Sequence, residues 1–152
     1  MKKIAFLLIT LSLGLAALAQ QTNEFKFRFN HVSLSVKNAD NSVIFYNSVL
    51  QLTEITNRTK KEGIRWMSLG EDKELHLIST VPEPVHTNKA IHFALTSSNF
   101  DAFILRLAAK GIHFSDWAGT VDKVTVRADG IRQVYLQDPD GYWIEVNSAD
   151  VK

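Results

Sequence analysis

The chain contains one structural pattern twice, and this repeat restricts its fold more than any other feature. Each half reads as a strand, a helix and three further strands. Gly63-Ile64-Arg65 matches Gly130-Ile131-Arg132, and Leu69 matches Leu136 at the same offset of 67 residues. Each unit alone would leave one face of its sheet uncovered. Two units are therefore expected to pair into an α+β fold, with helices outside and a mixed sheet curved around a shared, pseudo-symmetric cleft.

Alternation of apolar and polar residues predicts the strands of the first half. A strand is expected over residues 29–36, with Val32, Leu34 and Val36 on one face. Asn38 or Asp40 can cap a helix that ends near Gln51. Further strands are expected at 63–69 and 75–78.

The second half repeats this order. A strand is expected at 91–96, followed by a helix capped by Ser98 and stopped by Gly111. A less regular strand at 121–126 leads into a hairpin over residues 130–147, whose turn is Asp138-Pro139-Asp140-Gly141. Glu145 lies between Ile144 and Val146, so it should point to the face opposite the apolar one.

The N-terminus is typical of a secretory signal peptide. Lys2-Lys3 precedes an apolar run at 4–18, which ends in Ala17-Leu18-Ala19 before Gln20. We expect residues 1–19 to be removed, leaving a periplasmic or secreted protein that no longer contacts the membrane; a retained anchor is the alternative. Residues 20–152 would form one domain, with module one at about 27–81, a proline-containing linker at 82–89 and module two at about 90–148.

Charge and composition exclude several classes of function. Without residues 1–19 the chain has 15 basic and 16 acidic residues, and no basic stripe is present, which argues against nucleic acid as a partner. The chain has no cysteine, so thiolate metal ligands and a cysteine nucleophile are excluded.

Four potential metal ligands lie at repeat-equivalent positions. The first and last strands of the two modules carry His31, His76, His92 and Glu145 on the face opposite the apolar residues. Imidazole and carboxylate ligands suit one divalent ion such as Zn, Ni, Co, Fe or Mn, and His31, His92 and Glu145 alone would form a 2-His-1-carboxylate set. The alternative is that these are structural or solvated side chains.

Strand parity also predicts the wall of the cleft. Val134 and Leu136 should face the helices, so Gln133 and Tyr135 should face the cleft, and the repeat offset assigns Trp66 and Ser68 to the same surface. An aromatic pair there would favour a flat or apolar substrate. Packing of Trp66 at the rim is the alternative. By the same parity, Arg65 and Arg132 point away from the cleft.

Four segments, NHVSLSV, FYNSVLQL, IHFALTSSN and YLQDPDGYWIEV, together resemble the vicinal oxygen chelate superfamily, and the resemblance covers about residues 27–148. This superfamily includes glyoxalase I, fosfomycin-resistance proteins, extradiol dioxygenases and methylmalonyl-CoA epimerase. The resemblance implies that His31, His92 and Glu145 occupy the common ligand positions. His76 stands where glyoxalase I-like proteins have Glu and the epimerase has Gln.

The resemblance implies a metal-dependent, glyoxalase I-like lyase or isomerase. It would act on a small substrate with two adjacent oxygens through a metal-stabilised enediolate, with Glu145 or His76 as catalytic base. Two alternatives stay open: an Fe(II) extradiol-type dioxygenase, and a metal-free small-molecule binding protein of the same fold. A homodimer is possible, since the cleft can be built within one chain or shared between subunits.

Overall fold

The fold consists of two four-stranded mixed sheets, each accompanied by one helix. The computed structural model describes residues 25–81, 83 and 85–149. In chain order the elements are β1 (His31–Ser35), α1 (Ala39–Leu50), β2 (Glu54–Ile55), β3 (Ile64–Gly70), β4 (Lys73–Ile78), β5 (His92–Thr96), α2 (Phe100–Ala109), β6 (Thr125–Val126), β7 (Arg132–Gln137) and β8 (Trp143–Asn147).

The two sheets have the same topology. Their strand orders are β1-β4-β3-β2 and β5-β8-β7-β6. In each sheet the first strand is parallel to the last strand of its module, and the other pairings are antiparallel. This confirms the prediction of an α+β fold with two βαβββ modules.

The strand register corrects the predicted repeat offset of 67 residues. Trp66 pairs with His76 as Tyr135 pairs with Glu145, which is an offset of 69. The offset of 67 came from matching the two Gly-Ile-Arg segments. These segments are not equivalent in the structure, because Gly63 directly precedes β3, whereas Gly130 lies two residues before the start of β7. An error of two residues does not change which face a side chain occupies, so the predicted faces are unaffected.

Side-chain caps begin both helices. The Asn38 side chain accepts a hydrogen bond from the Asn41 N–H at 3.0 Å, and Gln51 ends α1 with a left-handed backbone. In α2 the cap is Asn99, whose side chain accepts from the Ala102 N–H at 3.2 Å. The predicted cap, Ser98, is therefore wrong by one residue.

The strand predicted at 121–126 is shorter than expected. Only residues 125–126 form β6, and Val121 makes an isolated bridge with Ser115. Asp122 has a positive φ of 54°, which interrupts extended pairing. The first strand is also shorter than the predicted 29–36, since β1 covers residues 31–35.

Residues from both modules form one hydrophobic core. The Tyr46 hydroxyl donates to Asp138 Oδ2 at 2.8 Å between α1 and the β7–β8 turn, and both residues are buried. The apolar residues of the cluster alternate along the strands with the predicted cleft residues, which therefore lie on the faces of the two sheets away from the core. The cluster consists of Leu34, Val36, Ala39, Tyr46, Val49, Met67, Leu75, Leu77, Phe100, Leu107, Phe114, Val134, Leu136, Ile144 and Val146.

Within the described part of the chain, neither helix has the length and apolar character needed to cross a membrane. The predicted signal peptide, residues 1–19, lies outside the described residues.

Candidate metal site

A tight turn sets the position of Glu145. Asp138 Oδ1 accepts hydrogen bonds from the backbone N–H groups of Asp140 (2.9 Å) and Tyr142 (2.8 Å). Gly141 has a φ of +88°, a backbone conformation that residues other than glycine rarely adopt. The turn therefore fixes the register of β8, and Ile144 and Val146 enter the core while Glu145 faces the opposite side.

Glu145 is a buried carboxylate with two neutral hydrogen-bond donors. It is 6% exposed. Its Oε2 accepts from the Tyr135 hydroxyl at 2.7 Å, and its Oε1 accepts from Asn147 Nδ2 at 2.8 Å. Among the described residues no lysine or arginine pairs with it, and the nearest basic group is His92 Nε2 at 3.5 Å. A buried carboxylate without a cationic partner is costly, so this position favours a bound cation.

Tyr135 and Gln133 support the carboxylate. Gln133 Nε2 donates to the Tyr135 hydroxyl at 2.8 Å, and this hydroxyl donates in turn to Glu145. Burial, followed by the hydrogen bond to Glu145, raises the pKa of Tyr135 to about 12. Tyr135 therefore stays protonated and acts as a permanent donor at neutral pH. The structure places both predicted wall residues on the same face as Glu145.

His92 is oriented by a backbone carbonyl. Its Nδ1 lies 2.8 Å from the Lys89 carbonyl oxygen, which can only accept a hydrogen bond. Nδ1 therefore carries a proton, which leaves Nε2, the nitrogen that faces Glu145, as the one that a metal ion could bind. A histidine that donates its second ring N–H to a fixed acceptor is the usual arrangement of a metal ligand.

The Lys89 side chain ties this part of the site to a loop. Its Nζ donates to Ser115 Oγ at 3.0 Å and to the Asp116 carbonyl at 2.8 Å. The same loop carries Trp117, whose ring lies edge-on to His92 at 6.3 Å between centroids. Sequence reasoning missed Lys89 and Trp117, because neither lies in a predicted strand.

In the first module, His31 and His76 form a second pair. Their rings stack at 4.2 Å, and the other face of His76 stacks on Trp66 at 4.1 Å. The Arg58 guanidinium covers the far face of Trp66 at 4.6 Å. His76 is thus held between two rings. The Trp66 Nε1 is buried and has no hydrogen-bond partner among the described residues.

Acceptor groups also fix the ring protons of this pair. His31 Nδ1 lies 2.7 Å from Asn30 Oδ1, and His76 Nε2 lies 2.9 Å from Glu74 Oε2. The hydrogen bond from His76, and to a smaller extent the one from Arg58, lowers the pKa of Glu74. The second ring nitrogen of each histidine makes no hydrogen bond within the described residues and is the one that a metal ion could bind. Glu74 was missed from the sequence, although it lies two positions before His76 on one strand and must share its face.

The structure brings the four predicted ligands together as two pairs, not as one set of four. His31 pairs with His76, and His92 pairs with Glu145. Within residues 25–81, 83 and 85–149, no group of three or more His, Asp or Glu side chains could hold a metal ion. The donor chemistry nevertheless fits a divalent ion, since the two pairs contain three imidazoles and one buried carboxylate that has no lysine or arginine partner among the described residues.

The remaining predicted residues lie at the edge of these pairs or behind them. Ser68 pairs across the sheet with Glu74, on the same face as His76. Arg65 forms ion pairs with Asp40 of α1 and with Glu54, and Arg132 forms one with Asp101 of α2. Both arginines therefore contact acids on the helices and lie away from the candidate ligands, as predicted.

A family model named Glyoxalase/Bleomycin resistance protein/Dioxygenase superfamily matches residues 28–146. The chain belongs to this superfamily. The matched region contains both modules and all four candidate ligands, which confirms the family resemblance inferred from the sequence.

Several known proteins are similar to the chain. Metallothiol transferase FosB of Shouchella clausii (strain KSM-K16) is 28% identical over 124 residues, which is 79% of each chain. Oxidase ChaP-H2 superposes with a TM-score of 0.68 at 17% identity, covering 83% of this chain and 96% of its own. Lactoylglutathione lyase from Agrobacterium tumefaciens superposes with a TM-score of 0.59 at 19% identity, covering 80% and 93%. At these identities the two structures show a shared fold only.

Proposed function

We propose that this superfamily member is an exported, metal-dependent lyase or isomerase that acts on a small substrate with two adjacent oxygens. The observation that carries the proposal is Glu145, a carboxylate that is 6% exposed, lacks a lysine or arginine partner within the described residues, and lies 3.5 Å from His92 Nε2. His31, His76, His92 and Glu145 would hold one divalent ion. Export rests on the sequence of residues 1–19 alone.

Enzymatic chemistry is supported by two of the similar proteins, a metallothiol transferase and a lactoylglutathione lyase. When bound, a divalent ion supplies Lewis-acid stabilisation of negative charge on substrate oxygens. The protein's own groups then orient the substrate and move a proton. Trp117, which is 54% exposed and lies edge-on to His92, provides aromatic surface beside a candidate ligand, which suits a substrate with a flat or apolar part. Trp66 and Tyr135 are buried and support the candidate ligands from behind.

Glu145 is a better candidate for the general base than His76. The His76 ring is stacked on both faces, and Glu74 holds its edge, so the ring has little freedom to move. Glu145 accepts one hydrogen bond on each oxygen, which leaves lone pairs on both. We therefore assign proton removal next to a substrate carbonyl to Glu145 and a fixed ligand role to His76.

The first test is metal analysis of the purified protein after loading with Zn, Ni, Co, Mn or Fe(II). His92→Ala should lose stoichiometric metal. His113→Ala should retain it, because His113 pairs with Asp122 at the surface, outside the candidate site. Full metal content in His92→Ala, or no metal in the unmodified protein, would overturn the proposed site and favour a metal-free binding protein.

The second test separates isomerase chemistry from oxygenase chemistry. We expect solvent exchange of a substrate C–H proton under anaerobic conditions, using small 2-oxo compounds as probes. Glu145→Gln should reduce this exchange by roughly 10²–10⁴-fold, the usual weight of general acid–base catalysis. The matched control is Glu71→Gln, an exposed turn carboxylate. Consumption of O₂ on catechols with Fe(II), without anaerobic exchange, would instead identify a dioxygenase.

A further inference from the structure

A groove between the two modules has half-buried apolar side chains at one end and a single charged side chain at the other. It consists of two adjoining cavities of about 430 and 250 Å³, which share lining residues from the end of α1 and the start of α2. We propose that this groove binds a free aliphatic monocarboxylate, with the carboxylate on Arg106 and the alkyl chain on the apolar side chains. The site is separate from the proposed metal chemistry and does not depend on it.

The apolar end of the groove is formed by core side chains that the fold leaves partly uncovered. Leu52, Leu69 and Leu95 pack against the hydrophobic core and line the smaller cavity, together with Phe103 of α2. Leu69 and Leu95 alternate along their strands with residues on the candidate-ligand faces, so this cavity lies on the other side of the sheets from the candidate metal site. Large apolar side chains that gather in a concave space, still open to solvent, are typical of a ligand site.

The other end of the groove carries an incompletely neutralised cation. Among the described residues, Arg106 is the only charged one that lines either cavity. Its Nε and Nη2 donate to the carbonyls of Val49 (3.1 Å) and Ser48 (2.5 Å) at the C-terminal end of α1. A helix end offsets only about half a unit of positive charge. No described carboxylate pairs with this guanidinium, and its Nη1 donates to no described residue.

A carboxylate with one alkyl chain matches both ends of the groove. Guanidinium N–H groups bind carboxylates through charge-assisted hydrogen bonds, and Nη1 of Arg106 is available for one. The exposed Ser98 hydroxyl lines both cavities and supplies a further donor. A cationic ligand would be repelled by Arg106. The two cavities together have the size of a small-ligand pocket, about 300–1,000 Å³, so one short chain fits better than a two-chain lipid.

Calorimetric titration of octanoate into the purified protein tests this site. EDTA is present throughout, so that a bound metal ion cannot hold the carboxylate. We expect saturable binding of octanoate, roughly 10-fold or more tighter than binding of octanol, because a hydrogen bond to a charged group has about this weight. Arg106→Met should remove the preference, whereas Arg127→Met, at an arginine that pairs with Asp129, should keep it. Equal affinities for octanoate and octanol, or no saturable binding of octanoate, would overturn the proposal.

A second pair of variants leaves Arg106 in place, since Arg106→Met also removes two hydrogen bonds to α1. Ser98→Asp adds a negative charge at the rim of the groove and should weaken octanoate binding by roughly 5-fold without affecting octanol. The matched control is Ser98→Asn, which has nearly the same shape and no charge and should bind octanoate as the wild type does. Ser98 is exposed and precedes the cap of α2, so neither change enters the core. Octanoate affinity that is equal in the two variants would contradict a carboxylate at this rim.

Leucine methyl NMR spectra locate the bound chain. Octanoate should shift the methyl signals of Leu52, Leu69 and Leu95, whereas Leu105, which is 71% exposed and lines neither cavity, should stay unchanged. Shifts confined to other methyl groups, or a dimer that forms through the groove and excludes octanoate, would overturn the proposal. Because these measurements use metal-free protein, their failure would leave the proposed metal site standing, and an absent metal site would leave the carboxylate site standing.

Discussion

Removal of the Tyr46 hydroxyl should destabilise the contact between the two modules. In Tyr46→Phe the ring still fills its place in the core, but Asp138 Oδ2 loses its 2.8 Å hydrogen bond. Both residues are buried, so water cannot easily replace the donor. Hydrogen bonds to charged groups contribute about 1.5–3 kcal/mol, so we expect a loss of about 2 kcal/mol at neutral pH. For a domain of this size, this is a fall in Tm of roughly 4–8 °C.

The pH dependence makes this prediction specific. Burial raises the pKa of Asp138 above its ordinary value, and the hydrogen bond from Tyr46 opposes that rise. A carboxyl group with a raised pKa in the folded state destabilises the protein above that pKa, and the cost disappears as the pH falls through it. The variant removes the opposing bond, so its Asp138 should have a still higher pKa. The stability difference between wild type and variant should therefore shrink on acidification.

Urea unfolding at several pH values measures this effect. The matched control is Tyr142→Phe, which loses hydrogen bonds to the neutral Ser35 backbone and should show a cost that depends less on pH. If Tyr46→Phe lowered the free energy of unfolding by less than about 0.5 kcal/mol at neutral pH, the hydrogen bond to Asp138 would not be the charge-assisted contact argued here. A cost that grows as the pH falls would refute the assignment to ionised Asp138.

Two further predictions follow from single contacts, and a third follows from the N-terminal sequence. Lys89→Met keeps the carbonyl that accepts from His92 but loses the side-chain hydrogen bonds to Ser115 and Asp116 that hold this residue in place. It should therefore lower metal affinity by roughly 10-fold in a metal titration, the lower end of the usual effect of outer contacts that position a ligand; Lys110→Met at the end of α2 is the control. Hydrogen bonds from Lys123 and Thr120 lower the pKa of Asp116 from 3.8 to about 2. The ionised Asp116 therefore stabilises the folded protein fully above its ordinary pKa, and this contribution is lost as the pH falls through about 2. The difference in urea midpoint between wild type and Asp116→Asn should shrink over that range. N-terminal sequencing of the exported protein should begin at Gln20, and an intact Met1 on membrane-associated material would contradict the predicted cleavage.

Strand faces could be predicted from the sequence because a period of two depends only on local alternation. Glu145, Tyr135 and Gln133 lie on the predicted face, although the repeat offset used to compare the modules was wrong by two residues. An even error preserves parity, so the same reasoning also placed Trp66 on the face of His76. The cap of α2 was missed because Ser98 and Asn99 are both good caps, and their choice depends on backbone geometry.

Contacts between distant segments could not be predicted in this way. The stacking of Arg58 on Trp66 joins a loop to a strand, and the Lys89 carbonyl orients His92 from outside any regular element. The separation of the four ligands into two pairs depends on how the modules pack, which residue patterns within each module do not encode. The repeat therefore indicated four candidate ligands but not their separation into two pairs.

The β7–β8 turn connects the stability of the fold to the chemistry of the site. Asp138 uses Oδ1 to hold the turn that sets the register of Glu145, and it uses Oδ2 to bind Tyr46 of the other module. One carboxylate thus fixes both the direction of a candidate ligand within its module and the packing of that module against α1. Loss of Oδ2's partner in Tyr46→Phe leaves the two turn bonds intact, so Glu145 should keep its position relative to His92. Reduced stability with unchanged metal affinity in that variant would separate module packing from ligand placement, whereas a parallel loss of both would show that the packing itself holds the ligands.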